Sequence, residues 1–465
     1  MRDRYRFRGM PSIARLVAHA RITDGILRQM RMGNMDTRRF RVFRFILAVA
    51  VLAAGLAYTD TPASADGKIT AENWTEMVGF KPDLSAVPFK PGKVIGKWNV
   101  DKVKHLVPPG LMRMIKKYEL RLTLAEDKPV YPSQGYIAAT NKYRGKAKII
   151  KTGNDIRKKG LKGYVAGLPF PQPKTGLEVA WNYDYSYNGD DGKLLYDTIW
   201  VSASTGVEHT ETWEWSFIMR TINRTDIDPK PAIQEYKDKG VKYVSSTRCI
   251  APYDKKGFSA VYSRSVEPLD MQGHVYVPAM RRIIRNTFGT RGDTWNATDY
   301  LYEDVRGYMG YPEWMNWKLV GKKTILLPMH DGSRRSKDPK RSYEIDKWPH
   351  WNPKVKWEPR PVYMLDVRPK IPDYPYSRQT IYVDAETFGI LYKESYDKKG
   401  DLWKVILNGY NEPPDMNTAP MYPGIAIVVD FQAEHATLIN FQKTYVNSRL
   451  SPKKFTISNL RKTSR

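Results

Sequence analysis

Over residues 207–222 the chain alternates more strictly than anywhere else along its length. One set of side chains is Val207, His209, Glu211, Trp213, Trp215, Phe217 and Met219. The other is Glu208, Thr210, Thr212, Glu214 and Ser216. A period of two with an aromatic face and a polar face is a β-strand in an antiparallel sheet covered on one side. A neighbouring strand is expected over 194–204, after the turn Asp190-Asp191-Gly192.

Two turns repeat the same word, Asp254-Lys255-Lys256-Gly257 and Asp397-Lys398-Lys399-Gly400. Asp opens a type I turn and Gly supplies the positive φ near its close, so both predict hairpins. The second belongs to a meander over 378–384, 390–396 and 401–407. Prolines gather at 349–375 and 413–423, which places loops or strand edges there. Most of 176–445 therefore reads as one large, mainly antiparallel, twisted sheet, which must curl or be covered. Helices to cover it are few: one is expected within 108–124 and a short aromatic one over 175–187.

Residues 66–175 are rich in Lys and Pro and only weakly periodic. The run from Lys142 to Lys162 reads as a solvated basic face. Residues 446–465 form a basic tail.

Ahead of this lies a basic stretch, Arg38-Arg39-Phe40-Arg41-Val42-Phe43-Arg44, then an uncharged run over 45–57, then Ala63-Ser64-Ala65. Basic, apolar and small-x-small segments in that order make a secretory signal peptide, cleaved before Asp66. The apolar run is shorter than the roughly 20 residues a membrane span needs. No Cys follows it, so lipid attachment there is excluded. Residues 1–65 are thus an extended basic leader plus signal, and the expected location is the periplasm, in soluble form.

The whole chain carries 76 Lys and Arg against 49 Asp and Glu. Only 12 of those cations and 4 of those anions lie in 1–65, so the positive excess belongs to the exported part. It favours anionic partners such as lipid head groups or polyanionic sugars. Nucleic acid ranks last for an exported protein.

Signatures of common enzyme classes are absent: no His-Glu-x-x-His, no Gly-x-Ser-x-Gly, no phosphate loop, no Gly-x-Gly-x-x-Gly. A single cysteine, Cys249, excludes a disulfide framework and any multi-Cys metal site. Cys249 is expected as a small core residue. His209 and Glu211 share a strand face and could form a polar couple, but at that strand's open end they are expected to be solvated. No enzyme activity, cofactor or metal is expected.

Two constellations carry more. Trp213, Trp215 and Phe217 form either ordinary core or the wall of an apolar cavity, since a curled sheet with few helices leaves space. Tyr276 joins that ligand-facing set. The segment from Gly273 to Arg285 ends a strand at Pro278 and delivers Arg281, Arg282 and Arg285. These either guard a sheet edge or dock an acidic partner or lipid phosphate.

The segment His274–Arg285, with its Tyr-x-Pro-x-x-Arg-Arg order, resembles the periplasmic outer-membrane lipoprotein-sorting carriers, the LolA/LolB-like superfamily. Asp299-Tyr300-Leu301-Tyr302-Glu303-Asp304, Trp317-Lys318-Leu319-Val320-Gly321 and Phe388-Gly389-Ile390-Leu391 follow in the same order. With Gly167-Leu168-Pro169-Phe170-Pro171 upstream, the chain over about 160–410 resembles the subfamily catalogued as domain of unknown function thirteen-twenty-nine. That resemblance implies an unclosed β-barrel wrapped over a few helices, with a cavity that shields acyl chains. It further implies a hydrophobic ligand and work beside an RND-type exporter or outer-membrane protein. The alternative is an envelope scaffold with a filled core that docks to polyanionic surfaces.

Overall fold

The computed structural model describes residues 67–218, 220–269, 271–288, 292–330, 335–410 and 423–463. The segment 1–65, expected to be a leader and signal, lies outside them. From Gly67 onward the chain forms one compact unit.

Seventeen strands are described. β1 (Val94–Ile95) and β2 (Leu122–Leu124) are short, and β3 (Lys148–Ile149) and β4 (Leu161–Lys162) make a separate hairpin. The long strands are β5 (Gly192–Ser202), β6 (Gly206–Ile218), β7 (Val241–Ala251), β8 (Ser259–Ser265), β9 (Met271–Val277) and β10 (Arg282–Phe288). They continue with β11 (Met315–Leu327), β12 (Lys356–Pro369), β13 (Arg378–Asp384), β14 (Ile390–Tyr396), β15 (Leu402–Tyr410), β16 (Pro423–Asp430) and β17 (His435–Val446). Fifteen of them form a single sheet, β1-β2-β12-β13-β14-β15-β16-β17-β5-β6-β7-β8-β9-β10, with β11 also on β12. The sheet is not closed: among the described residues β10 ends it as an edge strand. Its pairings are antiparallel except for β2 on β12.

The mainly β, unclosed architecture is the one expected. β6 and the meander β13–β15 fall where the alternation places them. The helix expected within 108–124 is Pro109–Lys117, after which the chain turns into β2. The aromatic helix is Gly176–Asp184, fixed at its start by a reciprocal cap between Thr175 and Glu178. No helix among the described residues is long and apolar enough to cross a membrane.

The central sheet is buried on both faces, not one. Val405, Leu407, Ile427, Val429 and Leu438 pack with Leu111, Met114 and Ile115 of the Pro109–Lys117 helix. The alternate residues Ile406, Val428, Ile439 and Phe441 pack with Tyr300 on the other face. The weakly periodic region 67–175 thus supplies one cover. It is clamped to the sheet by Arg360, whose guanidinium meets Asp127 at 2.9 Å and Asp384 at 2.9 Å, with Glu386 alongside. Trp74 Nε1 donates to the Glu386 carbonyl at 2.8 Å. Beyond the Pro109–Lys117 helix, this cover is held by loops and buried ion pairs, which leave no hydrophobic period.

Candidate ligand-binding site

At the β10 end the sheet is less completely covered. Residues 292–311 run back across its face in two single-turn helical pieces, Trp295–Ala297 and Tyr302–Gly307. This strap is held by its acidic side chains. Asp299 accepts from His435 Nδ1 and from Thr437 Oγ1, both at 2.7 Å. Asp304 accepts from Tyr376 Oη at 2.6 Å and pairs with Lys393. Glu303 accepts from Tyr374 Oη at 2.7 Å. The acidic–aromatic stretch is therefore an anchor. All three carboxylates point into protein.

Between strap and sheet lies a cavity of 270 Å³. Its floor follows one cross-strand row: Thr247 of β7 opposes Ala260 of β8, Ala260 opposes Val275 of β9, and Val275 opposes Ile284 of β10. Tyr262, Met271 and Val277 extend it, Tyr196, Trp213 and Phe258 close one end, and Trp295, Tyr302 and Met309 form the roof. Nearly all of these are apolar or aromatic. Burial raises the phenol pKa of Tyr196 and Tyr262, so both hydroxyls stay neutral. Ile284, on the free edge strand, lines the cavity and is 42% exposed, which opens this side toward solvent.

Of the residues expected to face a ligand, Trp213 lines the cavity. Trp215 opposes Thr247 in register, and so stands in line with the floor row, and Phe217 opposes Ser245. The side chains of Trp215 and Phe217 lie outside the described residues. Tyr276 is placed differently. Its neighbours Val275 and Val277 line the cavity, so alternation turns the Tyr276 side chain to the opposite face.

Arg281, Arg282 and Arg285 are all exposed. Arg281 sits in the β9–β10 turn at φ +51°. Arg282 opposes Val277 and shares the cavity side, at its rim. Arg285 opposes His274 and donates to Gln272 Oε1 at 2.9 Å on the far side. The register divides the three between two faces and a turn.

Glu211 corrects another expectation. It is fully buried, not solvated. His209 Nε2 lies 3.1 Å from Oε1, Lys255 pairs with the same oxygen, and Oε2 accepts from Trp213 Nε1 at 3.1 Å and Asn296 Nδ2 at 2.7 Å. The carboxylate joins wall, turn and strap. Cys249 is buried beside it, with its thiol pushed up to about 11 by burial, so it stays protonated. Among the described residues no cluster of His, Cys, Asp and Glu could hold a metal ion.

Sequence reading missed Thr247, Ala260, Phe258, Tyr262, Trp295 and Met309. Ala260 and Tyr262 share an alternating strand face, which was legible. The strap residues are 80 or more positions from Trp213 and carry no periodic signal.

Strap, open sheet edge and apolar lining together enclose one apolar cavity. Residues 94–461 match the family described as "Protein of unknown function (DUF1329)", and the chain belongs to that family. The match begins well before residue 160, so much of the Lys- and Pro-rich region is part of the family domain. An uncharacterized protein of Pseudomonas aeruginosa is 27% identical over 366 residues, covering 76% of each chain. Solved structures similar to this one include a putative outer membrane lipoprotein-sorting protein domain from Vibrio parahaemolyticus. It is 16% identical, has a TM-score of 0.43, and the match covers 62% of this chain and 98% of that one. A DUF1329 family protein from Desulfovibrio piger is 17% identical, with a TM-score of 0.43 and coverage of 61% and 97%. A LolA superfamily protein from Nitrosomonas europaea is 12% identical, with a TM-score of 0.38 and coverage of 62% and 100%.

Proposed function

We propose that this protein is an exported, non-enzymatic carrier for a hydrophobic ligand with a lipid-like chain. The observation that carries the reading is the 270 Å³ cavity under the strap. An apolar cavity of roughly 150 Å³ already accommodates a benzene-sized guest, so this one has room for several chain carbons. Its half-exposed edge gives a chain a way in. The signal-like segment ending at Ala65 supports a periplasmic location. The exposed arginines beside the rim suit an anionic membrane or an acidic region of an envelope partner such as an exporter.

The test uses an uncharged apolar fluorophore, N-phenyl-1-naphthylamine, with mass spectrometry of organic extracts of the purified protein. Ala260 is in the middle of the floor, so Ala260→Phe fills the cavity from within. Wild type should bind the fluorophore and release lipid into the extract. Ala260→Phe should lose both while keeping its melting temperature. A wild type that binds nothing and yields no lipid would leave the scaffold reading, with the space under the strap serving no ligand.

A further inference from the structure

A second, smaller cavity of 50 Å³ shares Met309 with the first and is lined by charged side chains as well as tyrosines. Its lining includes four cations, Arg220, Lys242, Arg264 and Arg306, and one carboxylate, Asp184. Arg220, Lys242 and Arg264 are 4%, 6% and 6% exposed. Buried cations are costly to keep unless an anion compensates them. Asp184 pairs with Lys242 and lies 3.6 Å from Arg264. Asp190 and Asp226, outside the lining, also act on Arg220. Asp190 already accepts from the backbone amides of Thr225, Asp226 and Ile227, and Asp226 from Ser133 Oγ and Tyr187 Oη.

The other contacts of these cations are with neutral acceptors. Arg264 donates to the carbonyls of Met309 at 2.7 Å and Gly310 at 2.9 Å. Arg220 donates to the carbonyls of Gly189, Tyr185 and Ser186. Arg306 donates to Asn188 Oδ1 at 2.7 Å. Carbonyls satisfy N–H groups but do not cancel charge. Arg220 Nη1, Arg264 Nε and Asn223 Nδ2 remain buried donors without a protein partner.

The two cavities run along the same strand faces. On β7, Tyr243 and Ser245 line the basic cavity and Thr247, two residues on, lines the apolar one. On β8, Arg264 lines the basic cavity and Tyr262 the apolar one. Met309 lines both. Lys242 reaches the basic cavity because of a bulge: Val241 opposes Ser265, Tyr243 opposes Arg264, and Lys242 is the extra residue between. A bulge re-aims a side chain that regular alternation would turn away.

We propose that the basic cavity takes the anionic oxygen group, carboxylate or phosphate, of an amphiphile whose chain lies in the apolar cavity. This rests on the carrier reading and specifies its ligand class. Two cavities that share Met309, one lined by four cations and the other by apolar and aromatic side chains, fit a molecule with a charged head and an apolar tail. Guanidinium and ammonium groups supply charge-assisted hydrogen bonds that a neutral head cannot use.

The experiment compares cis-parinaric acid with its methyl ester, which has the same chain and no charge, on the purified wild-type protein. A parallel arm adds inorganic phosphate. The acid should bind at least about ten-fold tighter than the ester at neutral pH. Arg306→Gln and Lys242→Gln should each bring that ratio toward one, with their folding checked by melting curves. The wild-type comparison stands even if a variant fails to fold. Equal binding of acid and ester would overturn this inference and leave the carrier reading intact, with the cations serving only to hold backbone carbonyls. Stabilisation by phosphate equal to that by the acid would reassign the cluster to a free anion and overturn the amphiphile. Binding of neither acid nor ester would remove the carrier reading and this inference together.

Discussion

Trp213 Nε1 donates to Glu211 Oε2 at 3.1 Å, from two residues further along the same strand face. The cavity wall is thereby tied to a buried carboxylate that also receives Asn296 of the strap and Lys255 of the β7–β8 turn. Removing the carboxylate strands donors on three segments at once. Glu211→Ala should cost about 3–5 kcal/mol in urea unfolding, the range for breaking a buried charge cluster. Glu211→Gln keeps the shape but loses the charge, and should cost roughly 1–3 kcal/mol. Both should weaken fluorophore binding, because Trp213 and the strap lose their shared anchor. Stability unchanged in both variants would show that the carboxylate carries no structural load.

How much of this was legible depends on where each part is encoded. β6, the meander and both Asp-Lys-Lys-Gly hairpins are local: alternation and turn chemistry specify them within a dozen residues. Trp213 was found for the same reason. Tyr276 was misplaced because its segment was read for its motif and not for its alternation. Glu211 was misjudged because its partners, Lys255 and Asn296, are 44 and 85 residues away. The basic cavity is assembled from β7, β8, the strap, the loop after β6, and the end of the Gly176–Asp184 helix with the residues that follow it. No local pattern announces that their cations converge.

The strap should respond to pH through His435. Its Nδ1 meets Asp299 at 2.7 Å and its Nε2 lies 3.4 Å from Glu208. The hydrogen bond to Asp299 raises its pKa above the usual 6.5. A raised folded-state pKa means that the native protein holds the proton more tightly than the unfolded chain. The stabilisation is complete below about pH 6.5 and is lost as pH rises through the folded-state pKa. Unfolding free energies measured by urea should be level below about pH 6.5 and fall as pH rises from there toward about 8, and His435→Gln should flatten the fall. An identical slope in the variant would exclude His435 as its source.

The arginines by the free edge should act on membranes unequally. All three are exposed, so long-range attraction to anionic lipid should total about 1 kcal/mol per residue. Arg281→Gln, Arg282→Gln and Arg285→Gln combined should weaken cosedimentation with phosphatidylglycerol vesicles, and added salt should weaken that of wild type. Delivery of a chain into the cavity is a different readout. Only Arg282 shares the cavity side, so Arg282→Gln should slow transfer of a fluorescent lipid from vesicles more than Arg285→Gln does. Equal effects of the two single variants would place the arginines in general adhesion and not at the entrance.

Lys242 gives the last prediction, and its sign is opposite to that of His435. The ammonium is buried against Asp184, Arg264 and the ring of Tyr185, with Glu313 nearby. Burial, reinforced by the Arg264 charge, brings its pKa down to about 8 from 10.5. Below about pH 8 it is protonated in both native and unfolded chains and adds no slope. Between about 8 and 10.5 the unfolded chain keeps a proton that the native protein has released, so native stability rises with pH. At 1.36 kcal/mol per pKa unit the whole rise is about 3 kcal/mol. Lys242→Met should remove it. An anion seated in the basic cavity should also remove it, because the anion holds the ammonium charged and restores its pKa. Melting curves from pH 7.5 to about 10, with and without saturating cis-parinaric acid, measure both effects. A slope that the acid leaves untouched, in a protein shown to bind it, would place the carboxylate away from Lys242.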